Sequence, residues 1–249
     1  MRISYQNGEL SAAAAGNDPM QLMNRWLGEA IAADAAYLGA SGTVAGDADD
    51  GSVREPNAMA LATATNAAVP SVRIVLCKGI DVTRAAFVWY TNIAGRKAQE
   101  VTENPLAAAT FWWSILQRQV RVVGAVARVD DETARRYFAT RPRASQLSSH
   151  ASRNQSQPIA SRGELEARAR ALTAEYEGQE IPMPEHWGGF ELIAHELEFW
   201  QGREGRMHDR IMFKRMGPAS VPPASVPPAI GTIVTDETGE SWHRMRLEP

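Results

Sequence analysis

The chain has 249 residues, 44% of them hydrophobic, and a formal net charge of −3. That length can bury a sizeable core in one or two domains. The slight acidity excludes a general nucleic-acid binder, which needs a broad basic surface to displace counterions, but leaves room for a local basic pocket.

One cysteine, Cys77, excludes an intramolecular disulfide and suits a reducing, cytoplasmic setting. No apolar run is long enough to span a bilayer, and MRISYQNGEL lacks an apolar signal core, so a soluble intracellular protein is expected.

In chain order, the first predicted element is a helix opening at DPMQLMNRWLGEAIAADAAYL. Asp18 can cap it and Pro19 suits its first turn. Leu22, Met23, Trp26, Leu27, Ala30 and Ile31 recur at helix period. The small, acidic stretch 39–55 reads as a loop. A strand-rich middle follows, with AMALATAT, SVRIVLCKG, AAFVWYTN, LAAATFWW and QVRVVGAVARV as apolar or alternating runs. One short helix, GRKAQEVTEN, interrupts them and ends before Pro105. Alternation puts Gln119, Arg121 and Val123 on one face and Val120, Val122 and Gly124 on the other.

DETARRYFATRPRASQ predicts a helix, a break at Pro142 and a second short helix. SRGELEARARALTAEY predicts a helix with a capping-box pattern at Ser161 and Glu164 and an apolar stripe of Leu165, Ala169, Leu172 and Tyr176. Strands return at GGFELIAHELEFWQG and RIMFKR, and IGTIVTD and SWHRMRLEP close the chain. The doubled ASVPP between them cannot continue a sheet centrally, since proline has no donor. It reads as an insertion at 216–231 in the last hairpin, or as a linker. The pattern is mainly β with flanking helices, an antiparallel barrel or sandwich in a single domain over 1–249.

Several cation clusters could carry chemistry. Arg73 and Lys78 are five apart on one strand, so a flat strand points them to opposite faces. A bend or two ligands would let both work; plain surface charge is the alternative. In WYTNIAGRK a strand ends at Tyr90 and Thr91, and Arg96 and Lys97 open a helix. Helix N–H groups with such side chains can hold a phosphate, although turns are rich in these residues anyway. Tyr137, Arg141 and Ser145, at i, i+4 and i+8, put three phosphate donors on one side if the backbone stays helical. An amphipathic helix with a surface arginine gives the same spacing.

In EFWQGREGRMHDR, Arg206, His208 and Arg210 alternate, so in an extended chain they face one way. Such a row repels itself unless an anion sits there, while Arg203 is left to solvent. The histidines show no metal-ligand spacing, and no P-loop, G-x-G-x-x-G or G-x-S-x-G occurs. With several anion sites and no evident nucleophile or metal, the residues point to a phosphorylated cofactor without saying which.

Taken together, DPMQLMNRWLGEA, EPNAMALATA, PSVRIVLCK, VWYTNIAGRKAQE, FWWSILQRQVRVVG, YFATRPRASQ, NQSQPI, WGGFEL, EFWQGREGRMHDR and RLEP resemble the pyridoxamine 5′-phosphate oxidases. The pieces run in family order over most of the chain; each is weak singly and the set is specific. The resemblance implies an FMN-binding split β-barrel, antiparallel and homodimeric, with FMN across the dimer interface. It carries flavin contacts onto Arg73, Ile74, Val75, Leu76, Cys77, Lys78, Tyr90, Thr91, Arg96, Lys97, Gln119, Gln155, Ser156, Trp200 and Arg210.

Of these, Arg73, Thr91, Arg96 and Lys97 suit the FMN phosphate. Lys78, Tyr137, Arg141 and Ser145 would meet the substrate phosphate, and Arg206 and His208 would flank the substrate ring as the catalytic pair. An N-terminal lid, 1–17, would contribute Arg2 and Tyr5. The implied reaction is oxidation of pyridoxamine or pyridoxine 5′-phosphate to pyridoxal 5′-phosphate, with hydride passing to the flavin and oxygen reoxidising it to give hydrogen peroxide. A phenazine-biosynthesis type of flavin oxidase, or a non-catalytic flavin or vitamer carrier, would use similar residues. The 39–55 loop and the doubled ASVPP depart from the family pattern, and Cys77 reads as packing rather than redox chemistry.

Overall fold

The computed structural model describes residues 8–41, 55–216 and 231–249. Arg2 and Tyr5, nearly all of the 39–55 loop and the doubled ASVPP lie outside the described residues. The elements in order are α1 (Ala12–Ala15), α2 (Pro19–Ser41), β1 (Ala58–Ala64), β2 (Pro70–Leu76), β3 (Gly79–Asp81), β4 (Ala86–Asn92), α3 (Arg96–Glu103), β5 (Leu106–Trp113) and β6 (Arg118–Arg128). They continue with α4 (Asp131–Ala139), α5 (Arg143–Ala151), α6 (Arg162–Glu175), β7 (Trp187–Gln201), a 3-10 turn (Glu204–Arg206), β8 (Asp209–Met216), β9 (Thr232–Thr235) and β10 (Ser241–Arg246). Among the described residues no helix is long and apolar enough to cross a membrane.

Local chemistry explains the helix starts. Asp18 Oδ1 accepts from the N–H groups of Met20 and Gln21 at 2.7 and 3.1 Å, which opens α2 as expected. Leu22, Met23, Trp26 and Ala30 are buried, but Ile31 is 54% exposed, so the apolar stripe of α2 stops at Ala30, one residue short of the prediction. The helix also runs through Gly39 to Ser41, past the expected start of the loop. An interior glycine costs only about 1 kcal/mol, which a long helix tolerates. Ser161 Oγ accepts the Glu164 N–H at 3.2 Å to start α6, while the Glu164 carboxylate pairs forward with Arg168 rather than closing the box. The short α1, capped by Ser11, went unpredicted; a run of four alanines has no apolar period to read.

All strand pairings are antiparallel, in the order β2-β1-β5-β6-β7-β8-β10-β9. β7 divides the sheet. Along one edge it pairs with β6; along the other, its first half pairs with β4 and its second half with β8. β3 continues outward from β4, and among the described residues the sheet does not close into a complete barrel. Consecutive β6 residues Val123 and Gly124 face Glu196 and Ala194, so His195 is the extra residue of a bulge in β7, between its β4-paired and β8-paired halves.

Register sorts the two faces. Arg73, Leu61, Ala109, Val122, Leu197 and Phe213 lie opposite one another across five successive pairings, and all but Arg73 are buried there. Trp112, Gln119, Trp200 and Arg210 form a second row, on the opposite face. The inner face packs against α2 through Trp26, whose ring meets Phe199 edge-on at 5.4 Å. A smaller core of Phe138, Leu147, Leu172, Ile181 and Trp187 holds α4, α5 and α6 against the start of β7.

Candidate functional site

The start of α3 gathers the expected cations. Lys97 Nζ donates to Thr91 Oγ1 and to Gln155 Oε1, both at 3.0 Å. Ser156 Oγ accepts the Arg96 N–H at 3.4 Å. Asn92 Nδ2 donates to the carbonyls of Ser152 and Arg153 at 2.7 and 2.9 Å and so ties in the loop that carries Gln155. The cap at Gly95 is closely packed: a Cβ there would lie 2.8 Å from the side-chain end of Gln155 and 3.3 Å from Asn92 O. Burial, and behind it the Arg73 charge, lower the Lys97 pKa below the ordinary lysine value. A helix start whose Gly95 N-cap offers no side chain, with two guanidiniums and an ammonium around it, fits a phosphate group.

Sequence reasoning missed the anion beneath them. Glu100, 3% exposed, accepts from Ser71 Oγ at 2.5 Å, from Thr63 Oγ1, from Arg73 Nη2 at 3.4 Å and from Arg96 Nε at 2.7 Å. Burial works to raise its pKa, but hydrogen bonds from Ser71, Thr63 and Arg96 prevail and bring it to about 2. The i, i+4 spacing from Arg96 was the available signal.

Lys78 stands at a bend. Cys77 N–H donates to Asn57 O next to β1, whereas Lys78 N–H donates to Val88 O on β4, both at 2.8 Å. The chain changes partner between the two, which removes the flat-strand objection to Arg73 and Lys78 working together. Within the same stretch Ile74 points outward, Val75 packs against the core, and Leu76 is half-buried. Burial pushes the Cys77 thiol up to about 11, so it stays protonated and inert.

An aromatic wall lines the smaller core. Tyr90 stacks on Tyr137 at 4.0 Å and on Trp187 at 5.2 Å. Arg141 lies over the rings of Phe138 and Trp187, 5.5 and 5.0 Å from their centroids. Burial lowers the Arg141 pKa, a cost that an anion would offset. Ser145 meets Arg141 only indirectly, because Arg141 Nη1 donates to Ser149 Oγ at 2.7 Å and Ser149 Oγ in turn donates to Ser145 O at 3.0 Å. The break at Pro142 separates α4 from α5 and rules out a simple i, i+4, i+8 helical ladder.

The cation row of EFWQGREGRMHDR is corrected by the structure. Arg206 closes a 3-10 turn with φ +66°, after Gly205 at +65°, so Arg206, His208 and Arg210 do not share an extended face. The anion opposite Arg210 is the protein's own buried Glu198, which accepts from Arg210 Nε and Nη2 at 3.0 and 3.1 Å and from Arg121 Nη1 at 3.2 Å. Arg203 is not left to solvent either: it lies 3.6 Å from both Glu9 and Asp209. His208 packs on Trp200 with ring centroids 4.6 Å apart, and its Nδ1 accepts the Arg203 N–H at 3.1 Å. The neutral imidazole therefore carries its hydrogen on Nε2. Burial, then the Arg206 charge, lower the His208 pKa and favour that neutral form.

In one chain, then, Arg73, Thr91, Arg96, Lys97, Gln155 and Ser156 gather at α3, while Tyr90, Tyr137 and Arg141 collect around Trp187 at the smaller core. Gln119, Trp200 and Arg210 form a separate row on the other face of the sheet from Arg73. Antiparallel sheet, cationic helix start and aromatic wall define a protein suited to phosphorylated ring compounds.

Comparison with known proteins agrees. A family model described as pyridoxamine 5′-phosphate oxidase matches residues 47–175, and one described as the pyridoxine 5′-phosphate oxidase C-terminal dimerisation region matches 187–249. The pyridoxine/pyridoxamine 5′-phosphate oxidase of Rubrobacter xylanophilus is 41% identical over 100% of this chain and 95% of its own. Its counterpart in Leptospira biflexa is 42% identical, covering 100% and 97%. Among solved structures, PhzG of Burkholderia lata in complex with tetrahydrophenazine-1-carboxylic acid superposes with a TM-score of 0.76 at 26% identity, covering 99% of this chain and 100% of that one. The chain belongs to the pyridoxamine 5′-phosphate oxidase family.

Proposed function

We propose that the protein is an FMN-dependent oxidase converting pyridoxamine and pyridoxine 5′-phosphates to pyridoxal 5′-phosphate, with O2 as acceptor and H2O2 as product, in vitamin B6 metabolism. The observation that carries this reading is the full-length likeness to oxidases of that name, at 41 and 42% identity. The cation cluster at the start of α3 and the half-buried Arg141 over the Trp187 ring support it, as places for the two phosphates the reaction needs.

Arg73, Thr91, Arg96, Lys97, Gln155 and Ser156 would hold the FMN phosphate, and Gln119, Trp200 and Arg210 its ring system. When bound, FMN supplies the two-electron acceptor that oxygen restores. Lys78, Tyr137, Arg141 and Ser145 would capture the substrate phosphate. Arg206 and His208 would orient the ring, His208 as a donor through Nε2. The task of these residues is alignment and charge complementarity.

The phosphate cluster and the Gln119, Trp200 and Arg210 row lie on opposite faces of one sheet, which favours a homodimer whose two chains jointly build each FMN site. The match to a dimerisation region supports the same reading. Purified protein with saturating FMN and pyridoxine 5′-phosphate under air should form aldehyde and peroxide together. Absence of both would overturn the proposal, and turnover of a reduced phenazine carboxylate alone would favour the PhzG-like alternative.

A further inference from the structure

We propose that Asp209 is a positioning residue that clamps the turn 203–210, and with it Arg206 and His208, to the N-terminal residues 8–10. The roles of Arg206 and His208 rest on the function proposed above; the clamp itself rests on geometry. Register opposes Gln201 to Asp209 and Trp200 to Arg210, so Asp209 faces away from the ring-side row. Its Oδ2 accepts the Leu10 N–H at 3.0 Å, and its Oδ1 accepts from Arg246 Nη1 at 2.7 Å. Arg246 Nη2 donates to Leu10 O at 2.9 Å, so Leu10 is held through both backbone groups. Arg203 Nη1 adds a bond to Gly8 O at 3.4 Å and lies 3.6 Å from Asp209 and from Glu9. One carboxylate thus joins the N-terminal segment, the catalytic turn and β10.

The turn needs an external hold. Gly205 and Arg206 are both left-handed, and for Arg206 that conformation is disfavoured, persisting only where the surroundings fix it. Within the turn, Met207 N–H donates to Glu204 O at 3.3 Å, and Arg203 N–H to His208 Nδ1 at 3.1 Å. The second depends on where Arg203 sits, and Arg203 sits against Asp209. Burial works to raise the Asp209 pKa, but the Leu10 N–H and Arg246 hold it below the usual carboxylate value, so the clamp stays charged through mild acid.

Asp209→Asn keeps the shape but loses the charge and one acceptor. In the FMN-loaded protein, KM for pyridoxine 5′-phosphate should rise about tenfold. kcat should stay within about threefold and FMN affinity within about twofold. Amide exchange should accelerate at Leu10 and across 203–208 while β5 and β6 stay protected. Combining the change with a double Arg206→Ala, His208→Ala variant should add little to the KM of that double variant, because Asp209 acts through the turn that carries both. Arg246→Gln, which removes a single arm, should shift the same quantities in the same direction and serves if Asp209→Asn does not fold. Unchanged KM, unchanged exchange, or a joint loss of FMN affinity and kcat overturns the proposal. If the wild type does not oxidise pyridoxine 5′-phosphate, the proposed function fails separately, and amide exchange alone decides the clamp.

Discussion

Glu100 shows why a charge count cannot find a charge site. It is a carboxylate in a cluster proposed to bind an anion, yet it orders the cations by accepting from Ser71, Thr63, Arg73 and Arg96. Its folded pKa, about 2, lies below the ordinary value of 4.5. The stability it contributes is therefore fully present above about pH 4.5 and is lost as pH falls toward 2. Glu100→Gln should lower unfolding stability at pH 7 by on the order of 3 kcal/mol. The gap from wild type should narrow on acidification below pH 4.5. Urea midpoints across that range check it; equal midpoints at pH 7 would remove Glu100 from this role. At the same scale, the neighbours of Arg210 were not legible in the sequence. Glu198 opens the same motif, but only the pairing of β7 with β8 shows that it faces Arg210 rather than Arg206. Spacing reports which side chains could meet, whereas partners on other strands decide which do.

At the scale of elements the sequence was far more readable. The alternation of β6 put Val120 and Val122 on one face, and both are fully buried; Pro105 and Pro142 marked real ends. These are local rules of period and missing donors, and they hold wherever no tertiary contact competes. The exceptions are where tertiary contacts do compete. The 3-10 turn at Glu204–Arg206 broke an extended alternation, and just past β2 the chain changes partner, with Cys77 N–H bonding Asn57 before β1 and Lys78 N–H bonding Val88 of β4. The β7 bulge at His195, opposite Gly124, belongs here too. A Cβ on Gly124 would sit 1.9 Å from Ile193 O, a backbone atom that cannot swing aside. Gly124→Ala should therefore cost more than about 3 kcal/mol, well beyond a propensity effect. Val123→Ala, next to it on the outer face, should cost about 1 kcal/mol. Denaturant midpoints compare them, and similar values would mean that the β6 and β7 register slips freely.

For the whole molecule, the two faces of the sheet matter most. Arg73 lies in the row with buried Leu61 and Ala109, whereas Gln119, Trp200 and Arg210 lie on the outer face beside Trp112. The outer face also carries Ile74 and Val72, 66 and 68% exposed, on the edge strand β2. A row of exposed apolar side chains flanking half of a proposed site is what a second copy of the chain would cover. If each FMN site takes its phosphate cluster from one chain and its ring-side row from the other, damage to the two halves should complement. Arg96→Glu breaks the first half and Trp200→Ala the second, so each variant alone should bind FMN poorly. Mixed, unfolded and refolded together, half the dimers should be hybrids, each with one intact site and one doubly damaged. FMN fluorescence quenching should then recover on about a quarter of all sites. Sites built within one chain would show no recovery at any mixing ratio, and that outcome would return the outer row to a structural role.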